Sequence, residues 1–302
     1  MSSIIEVREL TKAFNEITAV DNLTFTVKEK EVYGFLGQNG AGKSTTIRML
    51  LTLIRPTKGE IKIFGLDLST HRKEILQRAG AIIEKPDLYK YLTAIENLNL
   101  FATMSGLKLN RMQLIEKLEK VGLSERADSK IKTYSQGMKQ RLGIAVSLVH
   151  DPDLIILDEP MNGLDPQGIA DIRHLISHLS KDLGKTVFIS SHLLSEIEQV
   201  ADSLLIIHKG KKIAEGNIRE LLNPEQSRIE IETDSATELE LQLKQTRWGT
   251  KIVTVNGKTL TIQLKRDEIP LLIQQMTEMK QHIYSIRKKN SLEDYFLSIT
   301  AN

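Results

Sequence analysis

Gly37-Gln38-Asn39-Gly40-Ala41-Gly42-Lys43-Ser44-Thr45 matches the pattern G-x-x-x-x-G-K-[ST] at every fixed position. The apolar run Glu31–Leu36 before it suits a buried strand, and Thr45–Leu51 after it has helical spacing. Strand, loop and helix therefore follow in the order a phosphate-binding loop requires. Glycines let the backbone turn around an anion, and the N–H groups at the helix start face it with positive potential. Lys43 is placed to reach β- and γ-phosphates, and the Ser44 hydroxyl to ligate Mg²⁺. The competing reading is a glycine-rich turn that happens to hold a lysine.

A second group lies downstream. Leu154-Ile155-Ile156-Leu157 reads as a buried parallel strand, closed by Asp158-Glu159-Pro160 and expected to lie beside the phosphate-loop strand. Asp158 there suits Mg²⁺, and Glu159 suits a base that deprotonates water for attack on the γ-phosphate. Paired acids at a strand end are otherwise solvated turn residues. Thr186–Ser190 is a further buried strand that ends at Ser191-His192, so His192 also sits at a strand end. Its expected task is to sense the γ-phosphate and fix the attacking water.

Around these groups strands and helices alternate, which predicts an α/β fold with a mainly parallel sheet. Ile5–Val7 and Leu23–Val27 alternate and predict a small antiparallel β subdomain, with Phe14 in the loop between them. Read from its neighbours alone, Phe14 is a hydrophobic plug. Ile61–Phe64 reads as another strand, and Ala81–Ile83 ends in an irregular loop from Glu84. Helical spacing over Tyr91–Leu123, and again after Tyr134-Ser135-Gln136-Gly137-Met138, predicts a helical subdomain at about residues 91–150. Helices are expected at Gln167–Leu183 and Leu193–Val200, with a strand at Ser203–His208.

After Glu215 the character changes. A short helix at Asn217–Asn223, strands at Arg228–Glu232, Lys251–Val255 and Thr259–Leu264, and helices at Leu271–Met279 and Ser291–Ile299 predict a small α+β domain over residues 216–302. From Gly216 on there are twelve acidic and twelve basic residues, so this is no basic arm. The whole chain of 302 residues has a net charge of +2, too mild to argue for nucleic acid. It has no cysteine, which excludes disulfides and thiolate metal sites. No signal peptide and no membrane span are expected, so service to a membrane would be as a peripheral subunit.

Together these motifs resemble the ATP-binding subunit of an ABC transporter over about residues 4 to 215. Its phosphate loop is matched by Gly37–Thr45, its acidic motif by Leu154–Glu159, its signature loop by Tyr134–Met138, the loop after its catalytic acid by Asn162–Asp165, and its switch histidine by His192. The resemblance implies a phosphate-loop (RecA-like) ATPase core over residues 1–215. It also implies that ATP and Mg²⁺ are bound, with Ser44, Asp158 and Glu84 at the metal and Phe14 stacked on the adenine. It further implies a head-to-tail pair in which Ser135 and Gly137 of a second copy close on the nucleotide, on the cytoplasmic face of separate membrane permease subunits. Two departures stand out: Glu84 where the family has Gln, and a signature lacking one Gly of its pair and the terminal Gln. With the ending Ser291–Phe296, these are similar to the bacterial exporters that give resistance or immunity to bacitracin and lantibiotic peptides. Rival readings are a regulatory or soluble ATPase of the same superfamily, and a phosphate-loop kinase, which would leave Ser135–Arg141 unexplained.

Overall fold

The computed structural model describes residues 2–221, 227–279 and 281–288. The expected Ser291–Ile299 helix and the end of the Asn217–Asn223 segment lie outside them. Two compact units appear, Met1–Gly216 and Asn217–Asn302.

In the first unit, Ser3–Phe14 (β1) and Ile17–Lys28 (β2) form a long antiparallel hairpin, and Val32–Leu36 (β3) runs toward Lys43–Leu50 (α1). Lys58–Ile63 (β4) and Leu66–Asp67 (β5) complete the hairpin's sheet, in the order β2-β1-β4-β5. Arg72–Gln77 (α2) and Ala79–Ile82 (β6) precede the helices Ala94–Met104 (α3), Arg111–Glu119 (α4) and Gln136–Ser147 (α5). Then come Leu154–Leu157 (β7), Pro166–Lys181 (α6), Thr186–Ser191 (β8), Leu194–Val200 (α7), Ser203–His208 (β9) and Lys211–Asn217 (β10). The main sheet has the order β10-β9-β3-β8-β7-β6, with parallel pairing from β9 across to β6.

Three expectations are corrected. The acid-bearing strand β7 does not adjoin the phosphate-loop strand; β8 lies between them. Strand order depends on pairings between distant segments, which local periodicity does not encode. Phe14 is not in a loop but is the last residue of β1, paired with Ile17 across a two-residue turn. The first two strands are also twelve residues each rather than short, with bulges that shift the register and break the apolar alternation.

The two sheets share one apolar core. Phe25 of β2 meets Tyr33 and Phe35 of β3 and Phe188 of β8 with ring centroids 6.0 to 6.3 Å apart, and Phe188 meets Tyr33 and Phe35 at 5.7 and 5.4 Å. All four rings are 2 % exposed or less, so each buries nearly its full apolar area. Phe188→Ala is expected to lower unfolding free energy by about 3–5 kcal/mol, read by urea denaturation.

In the second unit, Ile218–Leu221 (α8) leads to Ser227–Thr233 (β11), Ala236–Lys244 (α9), Ile252–Asn256 (β12), Thr259–Leu264 (β13), Ile269–Glu278 (α10) and Ile283–Lys288 (β14). The strands form an antiparallel sheet in the order β12-β13-β11-β14. Its core holds Ile229, Ile231, Leu239, Leu243, Leu260, Ile262, Leu272 and Met276 around a fully buried Trp248. The indole N–H donates to Gln275 Oε1 at 2.6 Å, which satisfies its one polar atom.

Candidate functional site at the strand ends

In a parallel sheet the carboxyl ends of all strands lie on one edge, where open α/β sheets bind ligands. Here β3 ends at Leu36 before Gly37, β7 at Leu157 before Asp158, and β8 at Ser191 before His192. The three groups read from the sequence are thus brought together by register. Leu36 pairs with Ser191, and Leu157 pairs with Ile189.

The loop Gly37–Gly42 exposes Gln38, Asn39 and Gly40 and buries Ala41, Gly42 and Lys43. Gly42 is required on two grounds: its φ is +107°, and a Cβ there would lie 2.6 Å from the Ala19 carbonyl oxygen. Helix α1 begins immediately afterward, with no side-chain cap, and Ser44 and Thr45 sit half-buried in its first turn. Its leading N–H groups are those that an anion satisfies.

Lys43 is 5 % exposed. Its ammonium donates to Gly37 O at 2.6 Å and to Gln38 O at 3.4 Å, and lies 3.0 Å from Glu159 Oε1. The other carboxylate oxygen, Oε2, is 2.8 Å from His192 Nδ1. A carboxylate only accepts, so Nδ1 carries the proton in this contact and Nε2 is the ring's other nitrogen, directed elsewhere. Glu159 therefore bridges the phosphate-loop lysine and the histidine.

Its backbone is held as firmly as its side chain. Glu159 has φ +49°, a conformation that costs a non-glycine residue on the order of 1 kcal/mol or more. The Glu159 N–H donates to Ser190 Oγ at 2.9 Å, and the same hydroxyl donates to Asp158 Oδ1 at 2.5 Å. Ser190 is fully buried and serves both acids. Reading the sequence assigned it nothing beyond the end of a strand; the available signal was a hydroxyl directly after the apolar run Val187–Ile189.

Asp158 is 1 % exposed, and its Oδ2 is buried without a hydrogen-bond partner. An unpaired buried carboxylate oxygen is costly, and a divalent cation or its bound water would satisfy it. The described residues contain no cluster of three or more His, Cys, Asp or Glu able to hold a metal by themselves. One carboxylate, a hydroxyl and substrate phosphates are the ligand set that suits Mg²⁺, so Asp158 and Ser44 fit that ion.

The remaining expected residues are placed differently. Glu84, at φ +61° and exposed, pairs with Arg48 of α1 at 2.7 Å. Phe14 is 47 % exposed, with the Lys12 ammonium 4.8 Å from its ring centroid. Ser135 caps α5 by accepting from Met138 N at 3.2 Å, and Gly137 lies half-buried in the helix's first turn, where an added Cβ would meet Gly168 Cα at 3.8 Å. Among the described residues no hydrogen bond or ion pair joins Ser135 or Gly137 to the Lys43–Glu159–His192 group.

Residues 20–162 match the family described as ABC transporter. The bacitracin transport ATP-binding protein BcrA of Bacillus licheniformis is 52 % identical over 215 residues, covering 71 % of this chain and 70 % of that one. An uncharacterized ABC transporter ATP-binding protein of Bacillus subtilis (strain 168), YhcH, is 40 % identical over 301 residues, 99 % of this chain and 97 % of that one. The lantibiotic transport ATP-binding protein SrtF of Streptococcus pyogenes is 40 % identical over 226 residues, 73 % and 96 % of the two chains. Among solved structures, a dimeric ATP-binding cassette in a post-hydrolysis state bound to ADP and Pi aligns with TM-score 0.63 at 26 % identity, covering 71 % of this chain and 99 % of that one. The chain belongs to the ABC transporter family, as an ATP-binding subunit, and resembles its bacitracin and lantibiotic exporters.

Proposed function

We propose that this chain hydrolyses ATP to power a bacterial exporter of a peptide antibiotic, bacitracin- or lantibiotic-like, or of a related amphiphile. The observation that carries the reading is the Glu159 carboxylate, held between Lys43 at 3.0 Å and His192 at 2.8 Å.

The triphosphate lies along Gly37–Thr45, where the α1 N-terminus and Lys43 offset its charge, and Phe14 offers its exposed ring to the adenine. Glu159 accepts a proton from the attacking water. Lys43 and His192 stabilise the charge that develops on the transferred phosphoryl group. Ser44 and Asp158 would hold Mg²⁺, with Glu84, here paired with Arg48, as the further candidate ligand, and the ion would supply charge neutralisation to the phosphates. Ser135 and Gly137 of a second copy close on the γ-phosphate, so ATP bridges two chains and its hydrolysis releases them.

Residues 1–215 form the ATPase domain, with its helical part at about 91–150, and residues 216–302 an accessory domain. No helix of the described residues is long and apolar enough to cross a membrane. In this reading separate membrane permease subunits carry the cargo path, and this chain works peripherally on their cytoplasmic face. The bacitracin and lantibiotic transport relatives support the cargo class.

Co-expression tests the reading. The chain is expected to co-purify with a polytopic membrane protein when the two are co-expressed. Cells carrying both should tolerate bacitracin or a lantibiotic at several-fold higher concentration than cells carrying Lys43→Ala. Equal sensitivity with both proteins present would remove the cargo assignment, and absence of any membrane partner would favour a soluble or regulatory ATPase.

A further inference from the structure

Glu196 is a carboxylate buried to 8 % exposure in the first turn of α7, four residues beyond His192. Among the described residues no lysine, arginine or histidine makes an ion pair with it. Burial holds its carboxyl above the usual range and the charge of Glu159 pushes the same way, while Ser191 opposes. His192 and Arg173 oppose that rise only weakly and from a distance. A buried acid without a cation is an expensive way to fill space next to a strand end.

What Glu196 does hold is Ser191. The Ser191 hydroxyl, 1 % exposed, donates to Glu196 Oε2 at 2.7 Å and accepts from Leu193 N at 3.0 Å. The Ser191 carbonyl accepts from Gly37 N at 3.2 Å. The residue directly before His192 is thus tied to the first glycine of the phosphate loop through its backbone and to α7 through its side chain. Helix α7 is itself seated hard on β3: a Cβ added at Gly34 would lie 2.4 Å from Ile197 Cγ2, one residue beyond Glu196. His192 sits between these anchors, with only its ring free to reach Glu159.

We infer that Glu196 is a positioning residue for ATP hydrolysis: by accepting the Ser191 hydroxyl it sets the His192 turn against the phosphate loop. This rests on the proposed hydrolytic role of His192 and Glu159. Glu196 touches neither nucleotide nor attacking water. It acts through geometry, so an acceptor at its position matters and its charge does not.

Steady-state hydrolysis by the purified full chain, with binding of a fluorescent ATP analogue and thermal melting recorded alongside, tests this. Glu196→Ala should lower kcat about 10- to 100-fold, the scale of a displaced catalytic group, with KM and analogue affinity unchanged within about twofold. Glu196→Gln keeps a carbonyl acceptor for Ser191 and should stay within about threefold of the unmodified chain. The double variant Glu196→Ala with His192→Ala should be no slower than His192→Ala alone, since both remove one function. Should Glu196→Ala melt out, Ser191→Ala provides the same comparison with a smaller change in volume. Unchanged kcat in Glu196→Ala or Ser191→Ala, multiplicative losses in the double variant, or Glu196→Gln as slow as Glu196→Ala would each overturn the inference while leaving hydrolysis intact. An unmodified chain that turns over no ATP overturns the functional reading instead, and this inference with it.

Discussion

Glu159→Gln is expected to abolish ATP turnover without weakening ATP binding. The amide has no basic oxygen with which to take a proton, so kcat should fall by about 10²- to 10⁴-fold, the contribution of a positioned general base. The fold should survive. The strained Glu159 backbone is held by Ser190 Oγ and by the Asn162 N–H bond to its carbonyl, and neither depends on the carboxylate. Binding is kept because the ammonium of Lys43 loses a competing carboxylate at 3.0 Å and becomes available to phosphate. Phosphate release and titration with a fluorescent ATP analogue read the two effects separately. A variant that still releases phosphate at the unmodified rate would move the base elsewhere.

Lys43→Ala should act in the opposite order, on binding first. The ammonium is nearly buried, and each charge-assisted hydrogen bond it makes to a phosphate is worth about 1.5–3 kcal/mol. ATP affinity should therefore fall by about 10- to 100-fold. The loss should grow with phosphate number, so that ATP and ADP suffer more than AMP, which is held by its adenine and one phosphate. Calorimetric titration with the three nucleotides checks this. Equal losses for all three would mean that Lys43 supports the loop rather than the phosphates.

Much of the candidate site is legible in the sequence because its signals are local. Gly37–Thr45 is a continuous pattern, and Glu159 and His192 each stand at the end of an apolar strand run. The carboxyl ends of parallel strands share an edge, so naming the strands sufficed to bring their ends together. The order of those strands is not legible in the sequence: β3 lies between β9 and β8, and β7 is one strand further away. Ser190 and Ser191 were opaque for a related reason. Their importance lies in hydrogen bonds to Asp158, Glu159 and Glu196 that form only once β7, β8 and α7 are packed.

The second unit was read less completely. Glu238-Leu239-Glu240-Leu241-Gln242-Leu243 alternates with period two, a strand-like signal that hides helix α9. The helix forms because Ser235 caps it by accepting from Glu238 N, and because Leu239 and Leu243 bury one face. Leu241, the residue that completes the alternation, is 60 % exposed. Tertiary burial overrode the local pattern there. Strand β14, Ile283–Lys288, is likewise hard to read: it is a short edge strand in which Tyr284, Ile286 and Arg287 are exposed, so little apolar alternation marks it.

In the proposed mechanism Ser135 and Gly137 complete the nucleotide site of another copy. Ser135 opens α5 as its cap, exposed and without a hydrogen bond or ion pair to its own chain's Lys43, Glu159 or His192 among the described residues. The most direct measurement is the molar mass of Glu159→Gln by light scattering, with and without ATP and Mg²⁺, and again with Ser135→Arg added. A dimer that appears only with ATP and Mg²⁺, and is lost with Ser135→Arg, is the predicted result. A Glu159→Gln chain that binds ATP yet remains a monomer, or a dimer indifferent to Ser135→Arg, would contradict the shared site.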